Sequence, residues 1–401
     1  MDRTAQALGG DGSARLLRLD LANFRNWPSL RLDMPETGEV CPVILIGPNG
    51  AGKTNLLEAL SFLSPGRGLR GAALSDLTRI GSSAPWAVHA RLEISGEKVE
   101  IGTGIRNDPA SHGRRAVHID GTPASGQSAL GERVSVLWLT PQMDRLFCEP
   151  AAARRRFLDR IVLAREPGHA AKLSSYERAM RERNRLLARQ GGAADPAWLS
   201  ALEAQMARDG IALASARRLT VTQLAARLDQ APDGPFPRAG IALDGPFEDL
   251  IAGLDDAAAE EAFRRRLAAD RGRDAALGRT NEGPHRSDLA VWHRTKDMPA
   301  AACSTGEQKA LLIGIVLAHA GLVREETGRA PLLLLDEIAA HLDAARRDAL
   351  LAQLLDHPGQ AFLTGTEETA FSALRSRGIY YDIEAGRIAR TRHLFDFKKR
   401  A

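Results

Sequence analysis

The chain has 401 residues, of which 44% are hydrophobic and 26% charged, with a formal net charge of +4. These values fit a soluble globular protein of two or three domains and exclude a mainly disordered chain, a collagen-like fibre and a disulfide scaffold. The three cysteines, Cys41, Cys148 and Cys303, form no CxxC pair, so a reduced, cytoplasmic protein without a structural zinc site is expected. Residues 1–14 lack the apolar stretch of a secretory signal, and the apolar run 310–323 falls short of the ~20 residues that span a bilayer, so no membrane partner is expected. The balance sets 47 Arg and seven Lys against 50 acidic residues. Such a balance permits nucleic-acid binding without demanding it, and alongside abundant Ala it reads first as a genomic bias.

The first stretch reads as strands and turns. Residues 16–24 and 30–34 predict a β-hairpin, and the near-continuous apolar run 40–46 predicts a strand buried on both faces. Residues 55–63 carry helical apolar spacing. Strands are expected over 88–94 and 99–105, with the glycines of 102–104 as a turn, and over 134–139. After Pro150 the texture changes to Ala, Arg, Leu and Glu. Helices are expected through about 230, then a loop over 231–240, then helix over 248–276. Beyond Gly283-Pro284 the pattern returns to strand at 289–293, helix at 307–323, strand at 332–335, helix at 346–355 and strand at 361–364. This pattern predicts one α/β domain built from 1–150 and 286–401, interrupted by a helical insertion over 151–285 that is either a compact subdomain or a short arm.

Two segments carry chemistry on their own. Gly47-Pro48-Asn49-Gly50-Ala51-Gly52-Lys53-Thr54 matches the phosphate-binding loop GxxxxGK[ST] between a strand and a helix. Its glycines let backbone N–H groups turn inward around phosphate oxygens, and the helix N-terminus adds its dipole. Lys53 is expected at the β- and γ-phosphates, and the Thr54 hydroxyl on Mg²⁺. The second segment is the apolar strand 332–335 followed by Asp336-Glu337. Asp336 is expected to hold the Mg²⁺ shell and Glu337 to polarise the attacking water, although carboxylates at this place also suit an ordinary helix N-terminus.

Cys303-Ser304-Thr305-Gly306-Glu307-Gln308-Lys309 reads as an N-cap box, with Ser304 capping and Glu307 three residues on. The same segment resembles the ABC-type ATPase signature S-x-G-[EQ]-[QR]. That resemblance directs Ser304 and Gly306 to the γ-phosphate of a nucleotide held by a second subunit. Leu342-Asp343, after His341, resembles the D-loop, whose Asp lines a dimer seam. Gln142 stands where the Q-loop residue is expected, as a bridge to Mg²⁺, though Pro141-Gln142 also suits a plain turn. Thr364-Gly365-Thr366 occupies the place where transporters of this superfamily carry a switch His, leaving Thr364 as the candidate substitute.

The order of phosphate loop, helical insert, signature, acidic pair and D-loop is similar to that of the Rad50/SMC group of ABC ATPases, and within it to the RecF family. The resemblance covers nearly the whole chain. Its most specific parts lie outside the nucleotide motifs: Pro141-Gln142-Met143-Asp144 with Arg154-Arg155-Arg156-Phe157-Leu158-Asp159, and Gly283-Pro284-His285-Arg286-Ser287-Asp288-Leu289. The insert of about 135 residues is too short for an SMC arm, and without Cys it cannot form a zinc hook. The family implies an ABC-type ATPase head that dimerises on ATP and Mg²⁺, hydrolyses ATP slowly and binds DNA at single-strand gaps and stalled forks. It also implies work with RecR and RecO in loading RecA, and nucleotide contacts from Arg25 and Asn26 in the first hairpin. For the arginines 154–156 the choice lies between DNA contact and a solvated helix face. The alternatives are a P-loop subunit energising another machine and a nucleotide-dependent protein scaffold.

Overall fold

The computed structural model describes residues 13–35, 39–106, 114–190, 195–231, 234–340 and 342–392. By packing the chain divides into two units. The first comprises residues 1–144, 233–236 and 312–401; the second comprises 145–232 and 237–311.

In the first unit β1 (Ala14–Phe24) and β2 (Trp27–Asp33) form the antiparallel hairpin, closed through Arg25 and Asn26. There follow β3 (Val43–Ile46), α1 (Lys53–Ser61), β4 (Ala87–Ile94), β5 (Glu97–Ile105), β6 (Arg115–Ile119), β7 (Thr122–Pro123), α2 (Ser128–Gly131) and β8 (Val136–Leu139). The glycines of 102–104 do not turn the chain. They lie inside β5, and a Cβ on Gly104 would stand 2.6 Å from the Trp86 carbonyl oxygen, so glycine there admits a close backbone approach. The turn instead falls at Ser95 and Gly96, both at positive φ.

The second unit holds α3 (Ala151–Leu163), α4 (His169–Gln190), α5 (Pro196–Asp229), β9 (Ala239–Asp244), α6 (Pro246–Leu250), α7 (Asp256–Ala269), α8 (Arg271–Leu277), β10 (Asp288–His293) and β11 (Met298–Pro299). Asp195 caps α5 through the Ala197 N–H at 2.8 Å, with Pro196 in the first turn. The loop expected over 231–240 ends early, because residues 239 and 240 already belong to β9, which pairs antiparallel with β10. Tyr176, Met206, Ile211, Phe247 and Phe263 form the apolar centre. A charged centre lies beside it. Arg183, fully buried, donates to Glu203 at 3.0 Å, to Asp274 at 2.7 Å and to the Leu267 carbonyl. Its charge is met on several sides, as a buried cation requires.

The chain then runs through α9 (Thr305–Thr327), which opens in the second unit and ends in the first. Residues 286–311, expected with the head, thus pack with the second unit. By length and composition α9 could cross a membrane, but Leu311, Leu312, Ile313 and Ile315 are buried within the protein, as in a core helix. β12 (Leu332–Leu335), α10 (Ala344–Asp356), β13 (Ala361–Gly365), β14 (Ile379–Glu384) and β15 (Arg387–Arg392) complete the first unit.

Two six-stranded sheets build that unit. One is antiparallel, in the order β2-β1-β4-β5-β6-β7. The other has the order β15-β14-β3-β13-β12-β8; its pairs are parallel except for β15 on β14. Strands β3, β8, β12 and β13 are apolar along nearly their whole length, as strands covered on both faces must be. Phe24 meets Phe62 and Trp86 edge to face, and Phe62 and Trp86 pack at a tilt, with centroids 5.3–6.1 Å apart. Arg115 lies over the Phe62 ring and donates to the carbonyls of Ser64 and Gly66, anchoring the chain as it leaves α1. The parallel register brings the C-terminal ends of β3, β12 and β13 together, where α/β sheets place ligands.

Candidate functional site

Residues 47–54 connect the end of β3 to α1. A Cβ on Gly47 would lie 2.1 Å from the Ile383 carbonyl oxygen, so the loop leaves β3 hard against β14. Gly52 caps α1 at φ +113, a conformation that a side chain resists, and its Cβ would also strike the Asn26 amide at 2.6 Å. Lys53 is buried and curls over the loop, donating to the Gly47 carbonyl at 2.6 Å and to the Pro48 carbonyl at 2.9 Å. Burial pulls its pKa below the usual lysine value, while the charges of Glu337 and Asp336 push it back up.

The first hairpin braces this loop. Asn26 donates to the Ala51 carbonyl at 3.2 Å and accepts from Asn55 at 2.7 Å; the Trp27 indole donates to the Gly52 carbonyl at 3.3 Å. Arg25 turns elsewhere. At φ +55 it forks onto Glu58 of α1 at 2.8 and 2.9 Å and reaches the Asp76 carbonyl at 2.9 Å. Arg70 shares Glu58 at 2.9 Å and also donates to Asn55 at 2.6 Å. Glu58 is fully buried, and two guanidinium groups meet its charge.

Across the sheet, Asp336 follows the last residue of β12 and is 6% exposed. The Thr54 hydroxyl donates to its two carboxylate oxygens at 2.9 and 3.1 Å, although 282 residues separate the pair in sequence. Thr364, at the end of β13, donates to the same carboxylate at 2.8 Å and accepts the Glu337 backbone N–H at 2.8 Å. Glu337 is half-buried with φ +49. Thr54, Arg70, Thr140, Gln142, Asp336 and Glu337 line one open cleft of about 200 Å³. A hydroxyl, a carboxylate and an amide oxygen are hard donors of the kind Mg²⁺ takes alongside phosphate oxygens and water. No cluster of three metal-binding His, Cys, Asp or Glu exists among the described residues, and a cation bound with a nucleotide needs none.

Three expected site residues are not among those that line this cleft. Asp343 is exposed and caps α10 through the Arg346 N–H at 2.9 Å; His341 lies outside the described residues. In the second unit Ser304 and Glu307 form the capping box. Ser304 Oγ donates to Glu307 at 2.8 Å, and Glu307 also takes the Ser304 N–H at 3.0 Å. Lys296 pairs with Glu307, and these contacts hold its carboxyl down at about 2. Gly306 is half-buried in the first turn of α9.

The arginines 154–156 fit neither expectation as a group. Arg154 forks onto Asp288 at 2.8 and 2.5 Å, and Arg155 donates to the Ser287 carbonyl at 2.7 Å; Arg156 alone is exposed. Arg154 and Arg155 tie α3 to the segment 283–289. The Pro284 carbonyl of that segment accepts Arg217, His285 meets the Tyr176 hydroxyl at 2.7 Å, and Ser287 donates to Glu248 at 2.6 Å. Packing, not solvent, occupies most of the polar groups in both family-like segments.

Reasoning from sequence passed over Glu58 and Arg70. Glu58 had a signal: a lone acid inside the apolar run Leu56, Leu57, Ala59 and Leu60. Arg70 had none, since it lies on a loop 12 residues beyond its partner.

Comparison with known proteins bears on the whole chain. Residues 15–381 match the RecF/RecN/SMC N-terminal domain model. A relative from Mesorhizobium japonicum, named DNA replication and repair protein RecF, is 52% identical over 93% of this chain and 97% of its own length. A second RecF, from Rhizobium meliloti, is 50% identical over 93% of this chain and 98% of its own. A solved structure described as the recombination mediator protein RecF-ATPrS in the RecFOR pathway superposes with a TM-score of 0.81, at 20% identity, over 95% of this chain and 99% of that one. The fold is the ABC-type ATPase head shared with SMC proteins, and the chain belongs to the RecF family.

Proposed function

We propose that this chain is an ATP-gated DNA-binding protein that acts in recombinational repair at single-strand gaps and stalled forks, with RecR, RecO and RecA as pathway partners. The observation that carries the ATPase reading is the meeting of Thr54 and Asp336 at 2.9 Å beside Glu337, on one cleft below the phosphate loop. In this reading the backbone N–H groups of 47–54 and the Lys53 ammonium hold the triphosphate, and Asn26 keeps the loop in shape. Thr54, Asp336 and Gln142 would hold Mg²⁺, which supplies charge neutralisation on the β- and γ-phosphates when bound. Glu337 orients and deprotonates the attacking water.

The signature supplies the second half. Ser304, exposed at the tip of α9, completes the enclosure around a nucleotide held by a second copy, with Asp343 at the seam. ATP then holds two copies together, and hydrolysis lets them part, so the nucleotide times the DNA-bound state. Ser304→Arg is expected to bind ATP with parental affinity and remain one copy in sedimentation; normal pairing would remove the signature from the scheme.

DNA is bound through its phosphates, without a sequence code. Fluorescence anisotropy with gapped duplex should show binding that requires Mg-ATP and weakens steeply between about 50 and 200 mM salt. Binding that ignores both nucleotide and salt would favour the protein scaffold.

A further inference from the structure

Thr364 stands where related ATPases place a residue that touches the nucleotide, but its surroundings assign it another task. Its side chain is fully buried and lies outside the lining of the cleft. A hydroxyl has one proton to give. Thr364 gives it to Asp336 at 2.8 Å and uses its oxygen to accept the Glu337 N–H at 2.8 Å. Nothing is left over to read a γ-phosphate.

The placement follows from strand register. Leu363 of β13 pairs with Leu335 of β12, so the next residues, Thr364 and Asp336, lie side by side at the strand ends. On its other side Thr364 pairs with Leu45 of β3, and the next residue, Gly365, accepts the Gly47 N–H at 3.3 Å. Two consecutive residues of β13 therefore touch the first residue of the phosphate loop and both acids. The Asp336 carboxylate is fixed between two hydroxyls, Thr54 and Thr364. The Glu337 backbone, at φ +49, sits in a left-handed conformation that non-glycine residues adopt at a cost, and its N–H is pinned by Thr364.

We infer that Thr364 is a positioning residue: one buried hydroxyl orients the Mg²⁺-side carboxylate and the water-side carboxylate together, in place of a residue that senses the nucleotide. This rests on the ATPase reading above and adds to it a determinant of turnover that never contacts substrate. Nucleotide affinity, set by the loop and Lys53, should not depend on it.

The test is a set of substitutions measured for hydrolysis rate, Mg²⁺ dependence and ATP affinity. Thr364→Val keeps the shape and removes the hydroxyl. It should lower kcat about ten- to a hundredfold, the loss expected for a hydrogen bond to a charged group, and raise the Mg²⁺ needed for half-maximal rate. ATP affinity should stay within about threefold. Thr364→Ser keeps the hydroxyl and should recover most of the rate, whereas Thr364→Ala should not. Should the valine variant misfold, the serine–alanine pair still decides, because both residues are small and differ in the hydroxyl alone. Parental turnover in the valine or alanine variant, or serine failing as badly as alanine, would overturn the inference. Lys53→Ala run in parallel separates the two layers: if it hydrolyses ATP normally the ATPase reading itself falls, and if it is inactive while Thr364→Val is normal only the positioning role falls.

Discussion

Lys53→Ala is expected to abolish ATP binding while the chain stays folded. The Lys53 ammonium is buried over its own loop, close enough to give hydrogen bonds to Gly47 and Pro48 at 2.6 and 2.9 Å. Burial works against the charge, and the neighbouring carboxylates of Glu337 and Asp336 favour it. In the proposed scheme this ammonium would exchange its carbonyl partners for phosphate oxygens, which are stronger acceptors. Two charge-assisted hydrogen bonds at about 1.5–3 kcal/mol each correspond to a loss of at least about a hundredfold in affinity. Arginine should not substitute, because a planar fork cannot follow the tight path from the start of α1 back to Gly47. Titration with a fluorescent ATP analogue, with circular dichroism as the control for folding, checks this result. Affinity within threefold of the parent would contradict the placement of the triphosphate.

Glu337→Gln is expected to separate binding from hydrolysis. Glutamine matches glutamate in size, and the backbone here is fixed by the Thr364 hydroxyl, which the substitution leaves alone. The phosphate loop and Asp336 are untouched, so ATP affinity should hold. A positioned base contributes about 10²–10⁴-fold to rate, and hydrolysis should fall by a factor in that range. The bound nucleotide then persists, and the two-copy state should accumulate. A variant that turns over normally would hand the role of base to another group on the cleft.

How far the sequence could be read depended on whether the chemistry was local. The phosphate loop was legible because eight consecutive residues carry it, and the acidic pair because an apolar strand announces it. The meeting of Thr54 with Asp336 followed from recognising both halves. The hydroxyl of Thr364 was visible as a residue and illegible as a role, since its two partners are set by parallel register across β12 and β13. Strand β9 was missed for a related reason: residues 239–244 have little strand character of their own and gain it by pairing with β10, more than 40 residues on. Strand β14 did carry a signal, the run Ile379-Tyr380-Tyr381-Asp382-Ile383, and it went unread. The glycines of β5 misled because close backbone approach and a tight turn ask for the same residue.

Arginine gave the least information. Identical side chains serve as a clamp on Asp288, a buried hub at Arg183, an anchor at Arg115 and half of the grip on Glu58. A count of 47 arginines could not separate these from arginines that meet phosphate. Burial and partners make that separation, and they remove Arg154 and Arg155 from the candidates for DNA contact.

The most direct measurement is sedimentation velocity of the Glu337→Gln chain with saturating Mg-ATP and duplex DNA. A species of two copies that vanishes when ATP is replaced by ADP is the predicted result. One copy under every condition would contradict the claim that a nucleotide held by one chain is enclosed by the α9 tip of another.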